Sequence, residues 1–163
     1  MFLKKCHPKL GQKGFTLVEM LVAIFVFAIG VVGIFAILPS AIEVSSMNKN
    51  KIIASQLARE GIEIIRNIRD ENWLNGDLWN AGLSDGSYEI DYDDPNLSFW
   101  SDPGRNLKVD SDGFYNYDTG TETTFKRKIT LNSSSASTTI AVEVSWAGKG
   151  SPYKVQATLY DWK

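Results

Sequence analysis

The sequence predicts an α+β protein, one long helix followed by an antiparallel sheet. A near-continuous apolar stretch runs from Phe15 to Leu38, and a second stretch over 43–72 has apolar residues at three- and four-residue steps. The last third alternates apolar and polar residues with period two. One helical block followed by consecutive strands is the element order of an α+β fold rather than of alternating βαβ units.

The chain has 163 residues and a formal net charge of −2. Lys4, Lys5, Lys9 and Lys13 precede the apolar stretch without any acid, leaving thirteen basic residues against nineteen acids after residue 14, a net −6. An acidic body argues against non-specific nucleic-acid binding, and no specific nucleic-acid partner is expected. Cys6 is the only cysteine, so no intrachain disulfide can form.

From Met20 to Ile42 no residue is charged. About 20 apolar residues cross the hydrocarbon layer as a helix, so this segment can span, with membrane lipid as its surroundings. Lysines before it and acids after it put residues 1–14 in the cytoplasm and the remainder outside. A secretory signal peptide fits poorly, because the apolar run far exceeds the roughly 7–15 residues of a signal core. A plain anchor explains length and lysines but leaves Glu19 unexplained. A carboxylate at the edge of such a segment must protonate, find a cation or reach the interface, which makes it a functional candidate.

Lys13-Gly14-Phe15-Thr16-Leu17-Val18-Glu19 resembles the processing site of type IV prepilins and pseudopilins. The resemblance implies cleavage between Gly14 and Phe15 by a membrane prepilin peptidase, N-methylation of Phe15 by the same enzyme, and a role for Glu19 in filament assembly. It implies a pilin-like lollipop, in which the hydrophobic half of a long N-terminal helix is exposed and the amphipathic half packs on a C-terminal antiparallel β-sheet. The partners implied are the peptidase/N-methyltransferase, an inner-membrane assembly platform and other pilin subunits in a helical filament. Leu21-Val22-Ala23-Ile24 and Ala28-Ile29-Gly30-Val31-Val32-Gly33-Ile34 resemble the minor pilins called type IV pilus modification proteins. The resemblance thus favours a minor pilin. The alternatives are a pseudopilin of a type II secretion-like system and a membrane-anchored surface binding domain that never polymerises. The product would be a single-pass membrane protein first and a cell-surface or periplasmic filament afterwards.

Three segments follow: a basic leader over 1–14, a transmembrane or filament-core helix over 15–42, and an extracytoplasmic pilin-like domain over 43–163. Ala23, Ala28, Gly30, Gly33 and Ala36 offer places for close helix packing. Pro39 removes a backbone donor and should kink or interrupt the helix near Ala36. Over 43–72, Ile53, Leu57, Gly61, Ile64, Ile65 and Ile68 form one apolar face, with Arg59–Glu63 and Arg66–Asp70 as i, i+4 pairs outside it. Arg69 to Trp73 ends the helix, and Gly76, Gly82 and Gly86 mark loops.

The sheet is expected over 87–163. Tyr88 to Tyr92 is a strand, Phe125 to Leu131 another, and Thr139 to Trp146 the clearest, with Ile140, Val142, Val144 and Trp146 on one face. Tyr153, Val155, Ala157 and Leu159 form its partner beyond the turn at 147–152. Ser133 to Thr139 reads as a flexible hairpin loop.

Asp110, Asp112, Asn116 and Asp118 cluster oxygen ligands around Gly113, a pattern suited to Ca²⁺, although a solvated Asp/Gly turn explains them as well. No cofactor is otherwise expected. His7, the only histidine, lies in the leader, so the mature chain has no Ser-His dyad, zinc cluster or phosphate loop, and no enzymatic role is expected.

Overall fold

The computed structural model describes residues 14–94 and 96–161. The leader lysines, Cys6, His7 and Trp162 lie outside the described residues. Contacts divide the chain into two compact units, Met1–Glu43 and Val44–Lys163.

One helix, α1, runs from Leu17 to Asn75 over 59 residues. It continues through Pro39, so the interruption expected near Ala36 does not occur. A proline inside a helix removes one donor, here the one that would meet the Phe35 carbonyl, and the apolar helix-forming residues on both sides keep the ladder going. The helix ends two residues beyond Trp73. Gly76 takes φ of 78°, its N–H donates to the Trp73 carbonyl, and the Asp77 N–H donates to the Asn72 carbonyl at 2.9 Å. These paired bonds satisfy carbonyls that every helix end leaves over. Asn72 also donates from Nδ2 to the carbonyls of Trp79 and Ala81, which fixes the following loop.

In the first unit, α1 buries no side chain. In the second, Ala54, Leu57, Ala58, Gly61, Ile62, Ile65 and Arg69 are buried. Leu57, Gly61 and Ile65 are as expected, but Ile53, Ile64 and Ile68 are only half-buried. The apolar periodicity passed over Ala54 and Ala58, which are buried beside the expected Gly61, and these small residues let the backbone approach the sheet. The outer pairs also differ from the expected i, i+4 set. Arg66 meets Glu63 at 2.5 Å, one turn back, while Asp70 is taken by Arg69, whose guanidinium lies 4.7 Å from the Trp73 ring centre.

The main sheet has five antiparallel strands. They are β1 (Gly86–Glu89), β2 (Ser98–Phe99), β6 (Lys126–Ser133), β7 (Ser137–Ser145) and β8 (Tyr153–Tyr160), in the order β2-β1-β6-β7-β8. A second sheet, β4-β3-β5, joins β3 (Lys108–Val109), β4 (Tyr115–Asn116) and β5 (Thr121–Glu122). Strand β7 has Thr138, Ile140, Val142 and Val144 buried, with the residues between them half-exposed, and Trp146 just beyond is also buried. Strands β6, β7 and β8 form a meander, with Ile129 opposite Val142 and Val142 opposite Val155. Ser133 to Thr139 is a tight hairpin rather than a loose loop. Ser133 pairs with Thr138, the Ser134 N–H donates to the Ser137 carbonyl at 2.7 Å, and the Ser134 hydroxyl accepts from the Ser137 N–H. Serine hydroxyls that fold back on their own backbone give the turn its definition.

Helix and sheet meet most closely at Gly61. A methyl group there would come within 3.3 Å of Arg127 Cδ, Ile129 Cδ1 and Val142 Cγ1. Arg127 is fully buried on β6. It donates from Nη1 to Glu60 Oε1 at 2.9 Å and to the Leu57 carbonyl at 3.2 Å, and from Nη2 to the Ile90 carbonyl. One guanidinium thus links α1, β6 and the residue that follows β1. Gly61→Leu, which drives a side chain into this contact, is expected to destabilise the domain by about 1–3 kcal/mol. Thermal melting of the variant in detergent checks this, and an unchanged midpoint would contradict the close approach.

Candidate processing and assembly site

Gly14 is exposed, and a side chain placed there would meet nothing within 4 Å. Phe15 is 85% exposed. An unhindered backbone outside any helix or strand, followed by an accessible aromatic residue, is a chain that a protease cleft can take up.

Thr16 immediately follows, just before the first residue of α1. Its hydroxyl accepts the Glu19 N–H at 3.2 Å, and its carbonyl accepts the Met20 N–H at 3.1 Å. Thr16-Leu17-Val18-Glu19 is therefore an N-terminal cap with an acid three residues on, a pattern that satisfies backbone donors at a helix start. Sequence reasoning took Thr16 as part of the junction and missed this role, although the spacing of Thr and Glu is the signal that discloses it. Glu19 lies in the first turn of α1, where the positive end of the helix dipole favours a carboxylate. The cap places Glu19 one turn from Phe15.

Beyond Glu19, an eighteen-residue window of α1 is long and apolar enough to cross a membrane, and none of it is buried in the chain. Gly30 and Gly33 have open space where a side chain would be, so the described chain supplies no close helix contact at either. Residues 9–35 match the family model for the prokaryotic N-terminal methylation motif. The match covers the junction, the cap and the first part of the apolar helix together.

The motif supports a likeness to the type IV prepilin and pseudopilin family over these residues. No curated protein and no solved structure matches the chain. The long N-terminal helix followed by antiparallel sheets agrees with the pilin-like fold, and the family is one of structural proteins rather than enzymes.

The second candidate set lies in the small sheet. Asp110 Oδ1 accepts the N–H groups of Asp112 and Phe114, both at 2.9 Å. Asn116 is buried, and its Oδ1 accepts from Asp118 and Thr119. Asp112 and Asp118 are exposed. Among the described residues no three His, Cys, Asp or Glu side chains are gathered to hold a metal ion. Asp110 and Asn116 serve as caps of two successive turns, which is how Asx side chains commonly use their oxygens.

Charged groups that the sequence did not single out lie nearby. Glu89 is buried and accepts from Arg105 Nε at 2.6 Å, while the Arg105 guanidinium covers the Tyr117 ring at 4.5 Å. Burial pushes the Tyr117 phenol up to about 12. Asp91 is 1% exposed. Its Oδ2 accepts the Tyr117 N–H at 2.9 Å, and its Oδ1 has no partner among the described residues. Burial first, then the neighbouring Asp93 carboxyl, hold Asp91 above the ordinary carboxylate range.

A raised carboxyl value in the fold means that the unfolded chain gives up this proton first. The contribution of Asp91 to stability is therefore best at low pH and is lost as pH rises through its raised value. Asp91→Asn keeps an acceptor for Tyr117 and removes the charge. Its melting midpoint should gain on the unsubstituted protein between about pH 4 and about pH 7. A gain that is equal at both, or larger at the lower pH, would contradict the assignment.

Proposed function

We propose that this chain is a structural subunit, of the minor-pilin type, in a type IV pilus or related filament. It inserts with residues 1–14 in the cytoplasm and the domain after residue 42 outside. It is cut between Gly14 and Phe15 by a prepilin peptidase and methylated on the new amine of Phe15. It then moves from the bilayer through an inner-membrane assembly platform into a helical filament. The observation that carries this reading is the apolar first part of α1, which has no buried side chain among the described residues while carrying one acid in its first turn.

The physical logic rests on two solvents. In lipid, residues 20–42 are matched to their surroundings, and at about 1.5 Å per residue the segment covers the roughly 30 Å of hydrocarbon. Outside lipid, the same surface must be covered by other helices. Glu19 is poorly matched to hydrocarbon, where a carboxylate costs about 2.5–3.5 kcal/mol near the centre of a span. The free amine of Phe15, once the leader is gone, is a group of opposite charge. In a filament a neighbour's amine pairs with Glu19, which neutralises both groups and sets the axial register between subunits. The likeness of residues 21–34 to the pilus modification proteins supports the minor-pilin assignment.

Glu19→Ala separates processing from assembly. The variant should be shortened to the same length as the unsubstituted chain and remain in the membrane fraction, while its incorporation into sheared filaments falls at least about tenfold, as expected for a lost buried ion pair. Incorporation at the unsubstituted level would overturn the pairing.

A further inference from the structure

From the C-terminal end of α1 to the start of β6, residues 70–125 hold thirteen acids and two basic residues. Both basic residues are engaged. Arg105 is paired with Glu89, and Lys108 donates from Nζ to the Asp118 carbonyl at 2.9 Å. Within this acidic region three aromatic rings are more than half exposed; Phe99 rests against the buried Tyr88, and the other two pair with each other. Tyr92 is 52% exposed and Phe114 is 57% exposed, and their centroids lie 5.6 Å apart at 40°. Rings left this open in water need a reason, because neither contributes much to the core.

The pair is held from both sides. Phe114 sits at the end of the β3–β4 turn, where its N–H donates to Asp110 Oδ1 and its carbonyl accepts the Asp110 N–H at 3.0 Å. Tyr92 follows Asp91, whose N–H donates to Asp94 Oδ2 and whose carboxylate accepts the Tyr117 N–H just beyond β4. Asp91 thereby ties the Tyr92 loop to the end of β4, the strand that follows Phe114. The acids act on the rings directly. Desolvation first, then the negative charge of Asp93, Asp110, Asp91 and Asp112, holds the Tyr92 phenol above its ordinary value.

We propose that the Tyr92–Phe114 ring pair, set between Asp93 and Asp112, is a docking surface for a cationic peptide segment that brings Lys or Arg side chains to the rings. Charge complementarity selects the occupant. A region with thirteen acids repels nucleic acid and anionic lipid. A bare metal ion would use the carboxylates but not the rings, and those carboxylates are not gathered for coordination. A Lys or Arg side chain uses both features, since its stem covers apolar surface while its charge meets the ring face and the surrounding acids. The cation–ring contacts already described in the chain engage Trp73, Tyr117 and Trp100, so Tyr92 and Phe114 are the exposed pair left for an external cation. Because the two loops are fixed by hydrogen bonds before binding, little ordering is lost on docking. This surface is independent of whether the chain polymerises.

Fluorescence anisotropy of a labelled decalysine peptide with the full chain in non-ionic detergent tests the proposal. Saturable binding is expected, weakening as NaCl rises from about 50 to about 500 mM. The double variant Tyr92→Ala/Phe114→Ala should bind about tenfold more weakly while keeping the same melting midpoint. The variant Asp93→Asn/Asp112→Asn should bind more weakly and with a shallower salt dependence, and it provides a second reading if removal of the rings disturbs the loops. Any of three results would overturn the surface: no saturable binding, undiminished binding by the ring variant, or equal binding of decaglutamate. Displacement by calcium at matched ionic strength, far beyond that by NaCl, would replace it with a metal site.

Discussion

Among the described residues, the apolar part of α1 ahead of residue 43 has no buried side chain, and the rest of the molecule has to accommodate that. Water cannot hold such a surface, so it belongs either in lipid or among other helices. The chain divides where the helix changes character. Up to Glu43 it is apolar and uncovered, and from Val44 it contributes one stripe to a closed domain. The domain needs only that stripe, built on Ala54, Ala58 and Gly61, to anchor the helix against Ile129 and Val142. The same helix therefore serves two environments without a break, and Pro39 does not interrupt it.

Polar groups follow the same division. In the globular unit, two buried charges are matched inside the chain: Arg127 is met by Glu60 and two backbone carbonyls, and Glu89 by Arg105. Such pairs add little net energy against apolar alternatives, but removing one partner leaves a charge stranded. Glu19 is arranged differently. Its backbone N–H is satisfied by Thr16, and its carboxylate lies at a helix start where a positive charge is welcome. An acid placed this way stands four residues after a junction whose cleavage would create an amine, and the proposed pairing in a filament rests on that spacing.

The sequence disclosed the parts of this molecule that follow a period or a tight motif. Gly14, Phe15 and Glu19 stand at fixed spacing, and the alternation of Ile140, Val142 and Val144 named the buried face of β7 before any contact was known. It did not disclose β2, β3, β4 and β5, because two-residue strands are too short to show alternation and are held by neighbours rather than by their own residues. Arg127 stayed hidden because a Lys-Arg-Lys run reads as exposed until the partner, Glu60, is known to lie across from it on α1. Asp110 and Asn116 read equally as ligands or as turn caps, and only the direction of the neighbouring N–H groups distinguishes how their oxygens are used. On the expected face of the amphipathic helix Leu57, Gly61 and Ile65 are buried, while Ile53, Ile64 and Ile68 lie beside the buried stripe for a related reason. Periodicity counts large apolar residues, whereas the closest packing in this domain uses small ones.

The central claim is that Phe15 becomes the first residue of the working protein. Intact mass measurement of the chain recovered from membranes of a host with its own prepilin peptidase tests it most directly. The account predicts a chain that begins at Phe15 and carries one added methyl group on its amine. A chain that still begins at Met1, or that begins beyond the apolar helix, would contradict it.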